Sequence, residues 1–203
     1  MKKTFSKKYP IYLFFFYVLI WIILAINPVN RADWFLENIL IFIFVPIMVF
    51  VHYRFRVSNL SYTLIAAFLI IHTIGAHYTY SQTPFFSYWG DHKFDRDNYD
   101  RLTHFTFGLL LYYPLREFMM KFLKANRLLS YYIPWAILIS LSALYEIFEW
   151  LTALVVSPQN AIAFTGTQGD VFDTHKDMAL ALIGSLIAVI FTITNNLMKN
   201  TDE

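Results

Sequence analysis

The sequence predicts an all-α membrane protein, a single domain over residues 1–203 that forms a bundle of about six transmembrane helices. Hydrophobic residues make up 58% of the chain and charged residues only 15%, whereas soluble domains are about 25% charged. The hydrophobic residues fall into six long blocks, each near or above the roughly 20 residues that cross the hydrocarbon core. No repeat and no glycine- or serine-rich linker divides the chain, so one multi-pass domain is expected.

The first block, residues 11–26, follows four lysines and ends at Asn27-Pro28 without a small-residue cleavage site. It therefore predicts an uncleaved first helix and not a signal peptide. The other five predicted helices cover residues 34–51, 60–78, 102–120, 129–156 and 178–198. Pro46, Pro114 and Pro134 lie inside or near the ends of these blocks, where proline kinks or starts a helix.

The loop charges predict an orientation with both termini in the cytoplasm, because eleven of the sixteen basic residues then lie on the inside. Eleven of the fourteen acidic residues lie at or near the opposite, outer face. Two longer outer loops result, residues 79–101 and 157–175. The loop of residues 79–101 is too polar to form a seventh transmembrane helix.

The absence of cysteine excludes disulfides, thiolate catalysis and cysteine-ligated zinc or iron–sulfur sites. The net charge of +2 is small, and we expect no nucleic-acid partner. The lipid bilayer is the expected environment, and a plasma membrane the expected location.

Histidines and carboxylates on four helices reach one depth near the outer face. Asp100 and His104 are spaced i,i+4 on the fourth helix, and Glu146 and Glu149 are spaced i,i+3 on the fifth, so each pair shares a helix face. The full set of candidate ligands and bases is His72, Asp100, His104, Glu146, Glu149, Asp170, Asp173 and Asp177. An ionisable residue inside a membrane bundle is a functional-site hypothesis.

Small residues on the same faces predict that these groups point into the bundle. Ala181, Gly184 and Ala188 follow Asp177 at helical spacing, and Gly108 follows His104. Small residues allow membrane helices to approach closely.

Structural alternatives remain open for several of these residues. Asp100 is also a good N-cap for the fourth helix, and Thr174-x-x-Asp177 fits a capping box. Arg101 and Lys176 would neutralise Glu149 or Asp173 as structural ion pairs. The acidic run of the first outer loop, with His92, reads as a solvated segment: Asp91, Asp95 and Asp97.

Four ordered motifs resemble the YjdF-like family of bacterial inner-membrane proteins. They are His72-x-x-Gly75-Ala76-x-Tyr78-Thr79-Tyr80, Asn98-Tyr99-Asp100-Arg101-Leu102-x-His104-Phe105, Tyr145-Glu146-x-x-Glu149-Trp150 and Gly166-Thr167-Gln168-Gly169-Asp170-x-x-Asp173-Thr174. This chain has Phe172 and His175 where the family often has Trp and Gln. The resemblance implies a fold and a location and does not imply a reaction. A more distant similarity to VanZ-like proteins, which are linked to glycopeptide tolerance, is carried by Asp100-x-x-x-His104, Glu146-x-x-Glu149 and Asp177 with Gly184.

The leading hypothesis is a metal-dependent hydrolase or transferase that acts on a lipid headgroup or lipid-linked substrate at the outer face. His72, Asp100, His104, Asp170, Asp173 and Asp177 are the candidate metal ligands. Mixed imidazole and carboxylate ligation favours Zn or Mn before Mg or Ca. Glu146 or Glu149 would be the general base, and Arg101 would hold a phosphate.

Two other classes of function stay open on the sequence. In a small ion-coupled transporter, intramembrane acids mark the pathway of the ion, but residues 105–115 of the fourth helix are almost wholly apolar. The third class is a non-catalytic envelope assembly protein whose outer acids form a docking surface. The sequence does not indicate the oligomeric state of the protein.

Overall fold

The computed structural model describes residues 8–84 and 96–201, with side chains through residue 195. In these ranges the chain forms seven α-helices and no strand, which confirms the predicted all-α class. The helices are α1 (Tyr9–Leu24), α2 (Arg31–Arg54), α3 (Asn59–His77), α4 (Tyr99–Phe122), α5 (Arg127–Ala153), α6 (Pro158–Thr165) and α7 (Asp173–Thr201). Asp91, His92 and Asp95 of the first outer loop lie outside the described residues.

The six long helices correspond to the six apolar blocks of the sequence. Among the described residues, α2, α3, α5 and α7 are each long and apolar enough to cross a membrane. Helix α1 is shorter, with 16 residues. Helix α4 carries the most ionisable groups, and it packs against α3, α5 and α7. In the outer half of α4 the side chains of Asp100, Thr103, His104 and Thr106 are buried, so they face protein and not lipid.

Helix α6 is an element that the sequence analysis interpreted as a turn-rich loop. Pro158 starts this eight-residue helix, and the Ser157 hydroxyl caps it by accepting from the Asn160 amide at 3.4 Å. Gly166 ends the helix with a left-handed φ of 57°, a conformation that glycine adopts at little cost.

The most extensive helix pair is α4 with α7, and glycines on both sides set its close approach. A Cβ on Gly108 would collide with the Ala181 carbonyl oxygen. A Cβ on Gly184 would collide with the Phe105 carbonyl oxygen in the same way. The predicted small-residue contact is thus present, and it brings the outer ends of α4 and α7 side by side.

The two outer loops are joined by hydrogen bonds. The Asp97 amide donates to Gln168 Oε1 at 2.9 Å, and Gln168 Nε2 donates to the Asp97 carbonyl at 3.0 Å. The Asp97 carboxylate accepts from the amide and hydroxyl of Thr83, both at 2.6 Å. Asp97 is therefore buried and not solvated, which corrects the sequence interpretation for this residue.

Candidate functional site

A group of three donors lies between the outer ends of α4 and α7. Asp100, His104 and Asp177 each offer one ligand atom, and these atoms lie within 4.8 Å of one another. Asp100 and His104 are one turn apart on α4, with 3.6 Å between Asp100 Oδ1 and His104 Nε2. All three side chains are buried. The N-cap of α4 is Asn98 and not Asp100, and α7 begins at Asp173, so neither aspartate is a capping residue.

Helix α5 brings two glutamates to this group. Glu146 Oε1 lies 3.4 Å from His104 Nε2 and accepts no hydrogen bond from the described residues. Glu149 lies one turn further along α5 and interacts electrostatically with both Asp100 and Asp177. The carboxylates predicted on α4, α5 and α7 therefore converge.

His72 lies beside this convergence and has other partners. Its Nε2 donates to the Glu37 carbonyl oxygen at 3.2 Å, and the Tyr80 hydroxyl bonds to its Nδ1. Both ring nitrogens are thus engaged, because the carbonyl accepts only and fixes the tautomer with hydrogen on Nε2. In this arrangement His72 supports the wall of the site and does not join the three-donor group.

Asp173 and Asp170 lie in an ion-pair cluster at the mouth of the site. Asp173 pairs with the buried Arg96, and its Oδ1 also lies 3.4 Å from Arg101. Asp170 Oδ2 accepts from both Arg101 and Lys176 at 2.5 Å. Of the ion pairs considered from the sequence, the structure forms Arg101 with Asp173. Lys176 pairs with Asp170 instead of Glu149 or Asp173, and Arg96 is a member that the sequence analysis did not assign.

The Asp170 carboxylate is strongly held in its charged form. The hydrogen bond from Lys176 and a second from the Phe172 backbone amide lower the pKa of Asp170 to about 2. Asp170 therefore remains ionised at any physiological pH, and Arg101 keeps a charged partner at the outer surface.

Two acidic residues of the site were missed from the sequence, Asp33 and Glu37 on α2. Both are buried, and the Tyr145 hydroxyl donates to Glu37 Oε2 at 2.8 Å. Their i,i+4 spacing, next to the apolar run of residues 39–51, was the available signal.

Charge balance is the unusual property of the site. Apart from Asp97, which accepts hydrogen bonds from Thr83 and Tyr99, six buried carboxylates have no lysine or arginine partner within 4.0 Å among the described residues: Asp33, Glu37, Asp100, Glu146, Glu149 and Asp177. Buried carboxylates are normally paired, protonated or bound to a metal ion. The two carboxylates and one imidazole of the three-donor group match the donor set of a divalent cation such as Zn²⁺ or Mn²⁺.

Comparison with known proteins identifies the family. Residues 9–196 match the family described as "Predicted membrane protein (DUF2238)". The chain belongs to this family. Inner membrane protein YjdF of Escherichia coli (strain K12) is 34% identical to it over 176 residues, which cover 85% of this chain and 83% of YjdF.

Membership of the DUF2238 family confirms the resemblance to YjdF-like proteins and the multi-pass inner-membrane location. No solved structure matches the chain significantly. The distant similarity to VanZ-like proteins stays a prediction.

Proposed function

We propose that this protein is a metal-dependent enzyme of the inner membrane that hydrolyses or transfers a phosphate-containing headgroup at the outer face. The proposal depends chiefly on one observation, the buried group of Asp100, His104 and Asp177 with Glu146 beside it. Three protein ligands that leave further positions open are typical of catalytic metal sites.

Each residue has a role in this proposal. Asp100, His104 and Asp177 would hold the cation, which supplies an activated water when it is bound. Glu146 would take the proton from that water, because its Oε1 is free of hydrogen bonds and lies beside His104. Glu149, the alternative base, would stabilise Glu146 in its protonated form through a shared hydrogen bond.

Arg101 would bind the phosphate of the substrate. Its side chain is 23% exposed at the mouth of the site, and its Nε has no hydrogen-bond partner among the described residues. A phosphate that approaches from the membrane surface would replace Asp170 on this guanidinium, as bidentate arginine–phosphate pairing requires. A groove of about 220 Å³ beside Asp170, lined by Thr167, Gly169 and Thr174, leaves room for a small polar headgroup.

Metal content tests the first half of the proposal. The full-length protein is purified in detergent, exchanged against Zn²⁺ or Mn²⁺ and measured by elemental analysis. We expect at least one metal per chain in the wild type and a loss of more than tenfold in His104→Gln. His52→Gln is the matched control, since His52 lies on α2 and, within the described part of the chain, hydrogen-bonds only to Tyr62 at 2.7 Å.

Headgroup release tests the second half. The wild type and Glu146→Gln are reconstituted in vesicles of phosphatidylethanolamine and phosphatidylglycerol that contain a polyprenyl diphosphate, and products are identified by mass spectrometry. We expect metal-dependent release by the wild type and at least a hundredfold lower rate in Glu146→Gln. A wild type without metal would contradict the whole proposal. Metal binding without any product would contradict the enzymatic part and favour the transporter or the assembly protein.

A further inference from the structure

A groove runs between α1 and α2 in the inner half of the bundle, with α3 as its floor. In the outer half, Trp21 joins the two helices, because it donates to Asn38 at 2.6 Å and its ring lies 5.6 Å from that of Trp34. In the inner half, no hydrogen bond or ring contact joins α1 to α2 among the described residues, and a cavity of about 280 Å³ lies there. The space between α1 and α2 is therefore filled at the outer end and open at the inner end.

The walls of the groove are apolar along most of its length. Aliphatic and aromatic side chains from three helices line its middle, namely Leu13, Tyr17, Val45, Met48, Ile65 and Leu69. Polar groups lie at the inner end, where His52 Nδ1 is 2.7 Å from the Tyr62 hydroxyl. At 1.5 Å per residue, the lining segments of α1 and α2 are about 10–12 Å long, and one leaflet contributes roughly 15 Å of hydrocarbon. These dimensions and walls suit a single acyl chain of the inner leaflet.

Basic residues surround the inner end of the groove. Lys8 precedes α1, Arg54 ends α2, and Arg56 follows one residue later, all three with exposed side chains. None of them has a carboxylate partner within 4.0 Å in the described part of the chain. The one described carboxylate at this end of the bundle is Glu117, which pairs with Lys121 and accepts from the first residues of α3. The mouth of the groove therefore carries an excess of positive charge.

We propose that this groove is a binding site for an anionic phospholipid of the inner leaflet. One acyl chain lies between α1 and α2, and the phosphate lies among Lys8, Arg54 and Arg56. Basic pockets between transmembrane helices on the cytoplasmic side are typical sites for anionic headgroups, and arginine pairs with phosphate in a bidentate geometry. The site is independent of the proposed function, because it lies at the opposite face of the membrane from the three-donor group.

Lipid binding to the full-length protein in detergent is measured by native mass spectrometry. Protein freed of co-purified lipid is titrated with anionic phosphatidylglycerol and, separately, with zwitterionic phosphatidylethanolamine. We expect one tightly bound phosphatidylglycerol per chain and at least tenfold weaker binding of phosphatidylethanolamine. The double variant Arg54→Gln/Arg56→Gln should bind phosphatidylglycerol about 25-fold more weakly, since each basic residue near anionic lipid contributes about fivefold. The control Lys124→Gln/Arg127→Gln removes two exposed charges near the turn between α4 and α5 and should bind as the wild type does.

A substitution within the groove tests the seat of the acyl chain. Val49 lines the groove from α2, so the indole of Val49→Trp would occupy the space of the chain. The matched control is Ile47→Trp, because Ile47 is 51% exposed on the same helix and is not part of the groove wall. We expect at least tenfold weaker binding of phosphatidylglycerol in Val49→Trp and no change in Ile47→Trp. If Val49→Trp does not fold, Leu13→Trp fills the groove from α1 with the same expected loss.

Several results would overturn this inference. Equal losses in the two charge variants would reveal general attraction to the basic surface and not a site. Equal affinity for the two lipids would contradict recognition of an anionic headgroup, and unchanged binding in a folded Val49→Trp would contradict the seat of the chain. A dimeric wild type without bound lipid that becomes monomeric in Val49→Trp would assign the groove to a contact between two copies. The metal content of the protein is a separate measurement, so failure of the proposed function leaves this test intact.

Discussion

Two buried aspartates one turn apart on α7 differ in their partners. Asp173 pairs with the buried Arg96, whereas Asp177 has no arginine or lysine partner among the described residues and lies with Asp100 and His104. The difference arises from Arg96, a loop residue whose position depends on the hydrogen bonds between the two outer loops. Asp173 is thus part of the ion-pair cluster at the mouth of the site, whereas Asp177 is available as a ligand in the three-donor group.

Removal of the Asp173 carboxylate is expected to destabilise the protein. In Asp173→Asn the side chain of Arg96, only 6% exposed, loses its charged partner, and a broken buried pair typically costs about 3–5 kcal/mol. Denaturant unfolding in detergent micelles measures the loss. Arg96→Met combined with Asp173→Leu should recover most of it, because no uncompensated charge remains.

Lys176→Met is the matched control for this measurement. Lys176 is 49% exposed in its pair with Asp170, and such exposed pairs contribute about 0–1 kcal/mol. An Asp173→Asn variant as stable as Lys176→Met would contradict the structural role given to the Arg96 pair.

At the scale of elements, α4 is the helix on which the others assemble. It is the most polar of the long helices, and contacts with α3, α5 and α7 bury the polar residues of its outer half, among them Asp100 and His104. Its contact with α7 depends on backbone approach at Gly108 and Gly184, since larger residues would hold the helices apart. This spacing in turn determines the distance between His104 and Asp177.

Gly184→Ala should therefore weaken both the fold and the site. The added methyl meets the Phe105 carbonyl oxygen, and overpacking of this kind costs about 1–3 kcal/mol. We expect a lower free energy of unfolding in micelles, together with weaker Mn²⁺ binding.

The control for this variant is Ala179→Val, which adds two carbon atoms at an exposed position of the same helix. Equal effects of the two substitutions would argue that the glycine contact does not determine the helix spacing.

The helices and their inward faces were predictable from the sequence because they follow from local patterns. Apolar blocks predicted the six long helices, and small residues after Asp177 and His104 predicted that these faces point into the bundle. The loop structure was not predictable in this way. The burial of Asp97 and the Arg96–Asp173 pair both depend on contacts between segments about 70 residues apart.

The site was predictable in part for the same reason. Asp100, His104, Glu146 and Asp177 were found by projecting helices to a common depth. Asp33 and Glu37 were missed because no local sequence pattern shows that this face of α2 points toward α5. In the structure, the Tyr145 hydroxyl of α5 contacts Glu37.

At the scale of the whole molecule, the candidate chemistry lies at one end of the bundle. The three-donor group, the ion-pair cluster and α6 all lie on the side that loop charges assign to the outer face. The orientation of the chain in the membrane therefore determines whether the site faces the outside or the cytoplasm.

The absence of cysteine allows a direct test of this orientation. Gln159→Cys places a thiol on the exposed surface of α6, and Lys124→Cys places one in the exposed turn between α4 and α5. In intact spheroplasts a membrane-impermeant maleimide should label Gln159→Cys and leave Lys124→Cys unlabelled until the membrane is permeabilised. The reverse pattern would place the site in the cytoplasm.

The close contact of α4 with α7 has a consequence for biosynthesis. His104 and Asp177 are 73 residues apart in the chain, and a nascent protein emerges from the ribosome in order from its N-terminus. Helices α1 to α5 can enter the bilayer while the last donor is still untranslated. The carboxyl groups of α2, α4 and α5 must then stay protonated or hydrated until α7 has inserted beside them. A nascent chain that stops before α7 therefore inserts its acids without ever assembling the donor group.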